Sequence, residues 1–386
     1  MLALLAMQGG APALAQCHYV YTPIPRLPGW NSFGTAINNR SEVVGWLDNA
    51  GDTVRAFYWS EETGTVMLPL PTGFRDMVAE DINDLGDIVG YVGDTNGIRS
   101  GFVYDGHTFT IIPPPAWADA LLPSGINNRG QVAGTISNVR GPIHAFRWES
   151  GVLGDIGAGV EFPGDSFAKC VGEDRTIVGR AQTVVGGQYH VIAVTDHVGW
   201  PQEPESFLRS GANGQSDNGF IVGDGSDTLS GPYFGIIWGF GDPVLIAAPP
   251  SPIRQIANVI EINNAGRAVG RLYTDTQTGI VWQNGVVTDL NTLIINPPLP
   301  YRIATTVDIN ESGVILALRS ASLSAVLTPV WLPGDLTGDC HVSIEDLVIV
   351  LANFGMPIGS FPRGDADLDG QVSLSDLTIL LSHWGE

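Results

Sequence analysis

Six oxygen-bearing residues near the C-terminus carry the clearest chemistry in this sequence. Asp365, Asp367, Asp369, Gln371, Ser373 and Asp376 fall at positions 1, 3, 5, 7, 9 and 12 of one loop, with Gly370 at the sharp bend. That spacing wraps side-chain oxygens, the backbone carbonyl of position 7 and often a water at position 9 around a hard cation, and it points to calcium. Thirty residues earlier, Asp335, Thr337, Asp339, His341, Ser343 and Asp346 repeat the pattern. Here Thr337 replaces an acid and Cys340 stands where the bend expects glycine. With fewer charges, the first loop is expected to hold its ion more weakly.

These donors need elements to hold them. Each loop runs into an amphipathic stretch, 344–353 and 374–383, that ends at an aromatic residue followed by glycine, an ordinary helix stop. Position 12 is aspartate in both loops, where a standard EF-hand has glutamate. A duplicated loop and helix of this kind resembles a type I dockerin, over residues 334–386. The resemblance implies a cohesin-like scaffold as partner, met through the helix-start residues Ile344-Glu345 and Leu374-Ser375. These pairs differ between the halves, so two interchangeable binding modes do not carry over. The plainer alternative is a cap without a partner, since so small a module needs metal for stability anyway.

The rest of the chain is organised by a repeat. Ile126-Asn127-Asn128-Arg129-Gly130 leads to Val132-Ala133-Gly134, and related stretches end at Gly45, Gly90, Gly179, Gly223, Gly270 and Ala317, spaced by 44 to 47 residues. Asparagine and glycine tolerate the positive φ that tight turns require, so each copy reads as strand, turn, strand. An aromatic-rich third strand follows in most copies, as in Ala56-Phe57-Tyr58-Trp59, and then a fourth, as in Thr65–Pro69. Four strands in about 45 residues make one propeller blade, and stacked blades bury each other's faces. The seventh copy lacks a fourth strand, and Tyr19–Pro25 resembles one. The expectation is an all-β, seven-bladed β-propeller over residues 16–332, closed by its N-terminal strand, with a small α-helical calcium-binding domain over 333–386. Closure removes two open sheet edges.

The copies also resemble the extracellular HAF repeat, over residues 18–332. His144-Ala145-Phe146 spells the triplet in full, and the other copies keep part of it. That resemblance implies a secreted repeat protein and no particular chemistry.

Composition narrows the function. The net charge of −22 argues against nucleic acid and anionic membranes, which need a basic face. The apolar run Met1–Met7 is too short to span a bilayer, and Ala13-Leu14-Ala15 gives a small-x-small cleavage site. Residues 1–15 thus read as the tail of a signal peptide whose start lies upstream, with a secreted or cell-surface destination. Cys17, Cys170 and Cys340 match no zinc or redox spacing. A Cys17–Cys340 disulfide is expected if the chain ends meet, with Cys170 a small buried apolar residue. Asp165, His190, Asp196 and His197 lie in the least regular copy, and isolated groups like these read as a solvated strand or turn rather than a catalytic pair.

Asn38, Asn83, Asn127, Asn263 and Asn310 would form a near-ring, explained by their turns without a ligand. Trp59, Trp148, Trp238 and Trp282 recur at one position and read as packing between blades. No catalytic residue is expected. The functional expectation is a non-enzymatic binding or structural propeller, with a glycan as candidate ligand, anchored by the calcium module to a scaffold or cell surface. The alternative is an extracellular polysaccharide hydrolase or lyase, which converging carboxylates or histidines at the channel mouth would favour.

Overall fold

The computed structural model describes residues 18–49, 51, 53–157, 164–185, 188–192, 207–228, 233–239, 242–246, 256–273, 276–283, 285–295, 302–319, 323–330, 333–337, 342–355, 364–366 and 371–385. The chain divides into two compact units, Tyr21–Thr328 and one that contains Pro329–Glu386. Residues 1–15, expected to be a signal peptide, and Cys17 and Cys340 of the expected disulfide lie outside the described residues.

The larger unit is built of antiparallel meanders. Asn31–Ile37, Val43–Asp48, Val54–Ser60 and Gly64–Met67 form a four-stranded sheet in chain order. The same order recurs from Arg209–Gln215 to Val244–Ile246 and from Ile256–Ile262 to Val286–Asp289. Two further meanders, starting at Asp76–Ile82 and at Ala120–Ile126, are joined into one eight-stranded sheet through the single pair Ala120–Arg99. Around residues 166–192 three strands are described. In the last sheet Ile303–Ile309, Ile315–Arg319 and Leu323–Val330 are followed by the N-terminal strand His18–Pro23 and then by the short strand Ile294–Ile295. The N–H of Ile24 donates to the carbonyl of Ser324 at 3.1 Å.

The core consists of apolar clusters between successive repeats. Ala36, Val44 and Ala56 pack with Met77, Ala79 and Phe102 of the next sheet. Val89 and Ile112 pack with Leu121 and Phe146, and Val222 and Ile237 with Val259 and Ile262. One cluster joins the first repeat to the last, setting Ile37, Val43 and Phe57 against Val314, Leu316 and Val326. Both faces of a sheet are therefore buried, which removes each phenylalanine from water at a gain of about 1.5–3 kcal/mol. Trp59, Trp148 and Trp282 belong to these clusters, whereas Trp238 packs with Phe207 and Ile236 of its own repeat.

A bulge in the first strand explains the glycine that marks the period. Register shifts fall between Gly34 and Ala36, Ala79 and Asp81, Pro123 and Gly125, Ala168 and Cys170, Ala212 and Gly214, and Val259 and Glu261. Opposite each, the backbone passes so close that a Cβ on Gly45, Gly90, Gly134, Gly179, Gly223 or Gly270 would collide with a carbonyl oxygen of the first strand. In the seventh repeat a second shift lies between Ile303 and Thr305, just where that carbonyl would come from, and there the chain carries Ala317.

The smaller unit has two helices, Ile344–Asn353 (α1) and Leu374–Ser382 (α2). Ser343 and Ser373 cap them, with Asp346 and Asp376 completing a capping box in each case. Val342, Val350, Val372 and Leu380 form the core between the halves.

Candidate functional site

The turn asparagines do different work from that expected of them. The positive-φ positions are Ser41, Gly86, Gly130, Gly266 and Gly313, three residues after each asparagine. The asparagine side chain instead builds the turn. Asn127 accepts from the N–H groups of Arg129 and Gln131 through Oδ1, at 3.1 and 3.0 Å. Its Nδ2 then donates to Gln131 at 2.8 Å and to the carbonyl of Gly172, in the next repeat, at 2.9 Å. Asn38 donates likewise to Asn83, Asn83 to Asn127, and Asn263 to Asn310. Asn310 donates to the carbonyl of Asn38 at 3.0 Å, back to the first repeat. All five side chains are buried, as amides with complete hydrogen bonding can be.

A second relay runs beside it. Asn39 N–H donates to Asp84, Asp84 N–H to Asn128, Asn128 N–H to Glu173, Asn264 N–H to Glu311, and Glu311 N–H to Asn39. Most of these residues, with Glu261 and Ile262 standing for the sixth repeat, rim a polar recess of about 180 Å³ that is lined from all seven repeats.

Behind the rim lies a second cavity of about 280 Å³, and it holds what the sequence reading missed. Asp81, Glu261 and Asp308 occupy one column, two residues before the turn residue of each repeat, where the other repeats have Ala36, Gly125, Cys170 and Gly214. All three carboxylates are half-buried and line this cavity, together with Glu80, Arg271 and Lys169, the only lysine of the chain. The bulge aims the column inward. Glu261 accepts from its neighbour Ile262 at 3.1 Å, while the two aspartates also bridge repeats: Asp81 accepts from its neighbour Ile82 and from Ile126 of the next repeat, both at 2.8 Å. Asp308 accepts from Ile309 at 2.7 Å and from Ile37 of the first repeat at 2.8 Å.

Burial pushes the Asp81 carboxyl up to about 7, against the opposing pull of these N–H donors. Burial likewise raises Asp308 to about 6 and Glu261 well above the usual carboxylate range, the latter helped by the charge of Asp308. The signal was readable as an aligned column of three acids among small residues, but an acid beside a turn does not declare that a bulge turns it inward.

Cys170 is a free thiol at this cavity, half-buried rather than fully enclosed, and burial, with the charge of Glu261, pushes its pKa well up so that it stays protonated. Asp165 accepts from the N–H of Ile143 at 3.0 Å, a structural bond. His190 lies on the strand Gln188–Ile192, and Asp196 and His197 fall outside the described residues.

In the smaller unit, Asp335, Asp346, Asp365 and Asp376 are all buried, and Asp346 and Asp376 are fully so. Oδ1 of Asp346 accepts from the N–H groups of Leu336 and Thr337 at 2.7 and 2.8 Å, and Oδ2 from Ser343 at 2.8 Å. Asp376 binds Ala366 and Ser373 in the same way, at 2.6 and 2.7 Å. The Thr337 hydroxyl lies 3.3 Å from Asp335 and 3.0 Å from Asp346, so two buried carboxylates converge on one atom. Residues 333–386 hold nine acids against one arginine, Arg363. An all-oxygen donor set with this imbalance fits a hard divalent cation. Asp339, His341, Asp367 and Asp369 lie outside the described residues, and Gln371 and Ser373 are exposed and half-buried. Among the described residues no three His, Cys, Asp or Glu side chains converge as a metal site.

No family model and no curated protein matches the sequence. Solved structures do match the fold. The β-propeller domain of the Trilobed protease from Pyrococcus furiosus, described as having an open velcro topology, is 11% identical with a TM-score of 0.52, covering 77% of this chain and 92% of that one. The Aleuria aurantia lectin in complex with Fucα1-6GlcNAc is 13% identical, covering 69% and 96% at a TM-score of 0.35. A gluconolactonase from Xanthomonas campestris is 9% identical, covering 84% and 99% at a TM-score of 0.38. What this chain shares with the Trilobed protease domain is the fold, an all-β propeller-like array of sheets.

Proposed function

We propose that the chain is a secreted, non-enzymatic binding propeller of seven blades, closed by its N-terminal strand, that recognises glycans and is anchored through a calcium-dependent dockerin-like tail. The observation that carries the non-enzymatic reading is how the inward carboxylates are used. Asp81 and Asp308 each spend both oxygens on backbone N–H groups, one of them in the neighbouring repeat. Groups so engaged hold blades together and are poorly placed to exchange protons with a substrate. The closing contacts from Asn310 and Asp308 to the first repeat support the ring.

For the tail, the donor set described above would hold calcium, which neutralises the loops' charge. Ile344, Val348 and Leu351 stand exposed along one side of α1, and Leu374 and Leu381 along α2. An apolar stripe of this kind supports docking to a cohesin-like scaffold or cell-surface component.

One observation favours the second reading, an extracellular polysaccharide hydrolase or lyase: three carboxylates with raised pKa and a lysine share one cavity. A single experiment separates the two. Purified protein with calcium is run through native gels containing xylan, galactomannan, mixed-linkage glucan or pectin, and the same polysaccharides are assayed for new reducing ends or unsaturated products. Retarded migration without cleavage supports binding. Cleavage that disappears in Asp308→Asn overturns it in favour of the enzyme.

A further inference from the structure

The one full His-Ala-Phe triplet sits at a place that the channel does not explain. His144 Nδ1 is 2.8 Å from Asp155 Oδ2, and the His144 ring lies 5.1 Å from the ring of Trp117, tilted by 55°. Trp117 is 39% exposed, and Val139 close by is 88% exposed. The side-chain amide of Asn138 donates to the carbonyl of Trp117 at 2.7 Å, and the N–H of Val139 donates to Asp119 at 3.1 Å. The run Pro113-Pro114-Pro115 precedes the tryptophan, and a turn closes from Ala118 N–H to the Pro115 carbonyl at 2.9 Å.

An exposed indole costs the free protein solvation, and this one is held out by a stiffened loop rather than folded into the neighbouring core. The His144 and Asp155 side chains are 18% and 27% exposed, so the hydrogen-bonding pair beside the indole is reachable. With Nδ1 donating to Asp155, the imidazole keeps Nε2 to accept a hydrogen bond from a ligand. An apolar plate meeting a hydrogen-bonding wall suits a ligand with one apolar face and a hydroxylated edge. A pyranose ring has that build.

We infer that Trp117, His144 and Asp155 form a carbohydrate subsite on the outer part of the third repeat, with Trp117 stacking on a sugar ring and His144 accepting from a ring hydroxyl. The inference rests on the reading of the propeller as a glycan-binding module and adds where that binding occurs.

The test uses the full chain with calcium in native gels containing xylan, galactomannan, mixed-linkage glucan or pectin. The wild type is compared with Trp117→Ala, Trp117→Phe, His144→Ala and the channel variant Asp308→Asn, with thermal unfolding of each. At least one polysaccharide is expected to retard the wild type. Its affinity should fall about tenfold or more in Trp117→Ala, several-fold in His144→Ala and no more than about threefold in Trp117→Phe, where stacking survives. Asp308→Asn should bind as the wild type does. Unchanged binding by Trp117→Ala would overturn this subsite and leave the glycan reading standing. Loss in Asp308→Asn alone would move the site into the channel and also overturn it. If no polysaccharide retards the wild type, or a proline-rich peptide binds at Trp117 in its place, both readings fall.

Discussion

A buried amide that closes its own turn and also reaches the next repeat cannot be replaced by a smaller side chain. Asn127 makes four such bonds, to Arg129, Gln131 twice and Gly172. Replacing it with alanine strands backbone groups that water reaches poorly, at about 1–3 kcal/mol for each group left unpaired. Asn127→Ala should therefore lower the urea midpoint clearly, whereas exposed Asn39→Ala should cost less. Asp81 and Asp308 give a different signature. Their folded pKa values of about 7 and about 6 lie above the ordinary 3.8, so the folded chain holds protons that the unfolded chain has released. Their contribution is greatest below pH 4 and is lost as the pH climbs to about 7. Denaturation curves between pH 4 and 8 should show stability falling with pH over that window, and Asp81→Asn with Asp308→Asn should flatten the slope. At this scale the sequence was only partly legible. Asn127 announced a turn through its residue type, but its second role depends on a neighbour 45 residues away. Asp81 looked like any acid beside a turn until the bulge faced it inward.

At the scale of the element, the first strand's bulge and the glycine opposite are one device. Gly134→Ala should fail by collision with the first strand's carbonyl, at about 3 kcal/mol or more, whereas Ala317→Gly in the one exempt repeat should cost under about 1 kcal/mol. Paired thermal melts decide this. The period of glycines was visible in the sequence because close backbone approach admits only one residue type. The bulge was not, because it is a matter of register and leaves no residue of its own. The helices of the tail were legible from capping and periodicity together, since Ser343 and Asp346, and Ser373 and Asp376, are the capping box itself. Those same aspartates would lie at the ion, so calcium removal should unwind both helices. A chelator titration should lower ellipticity near 222 nm, and calorimetry should find two sites, the tighter on the loop with Asp367 and Asp369. Tighter binding at the loop carrying Thr337 would contradict the charge-count argument.

For the larger unit as a whole, the sheets hold by contact with their successors, and the first meets the last through Ile37, Val43, Val314 and Leu316. The strand His18–Pro23 lies beside Leu323–Val330. Deleting residues 18–25 would bare the edge of Leu323–Val330, so the shortened chain should melt several degrees lower and self-associate on sizing columns. Melting unchanged from the full chain would show that the strand is dispensable. The whole-molecule pattern was the most legible part of the sequence, because a period of 44 to 47 residues survives even where single residues of a repeat change. Repeats four and five show the limit: Gly172 and Ser216 stand where the others have asparagine, and Gly172 only receives the amide of Asn127.

Wherever a repeat carries the turn asparagine, the amide relay has one sense of rotation, giving to the following repeat, and Asn310 gives to Asn38. With the last repeat bound to the first through Asn310 and Asp308, no repeat is a privileged first member, and the point at which the chain opens is one cut among several. A chain recut at the exposed hairpin tip near Val139, with a short linker joining the former ends of the larger unit, should regain the same architecture. A repeat added or removed would have to present a carbonyl to the amide before it, as Gly172 does, and need not offer an amide of its own.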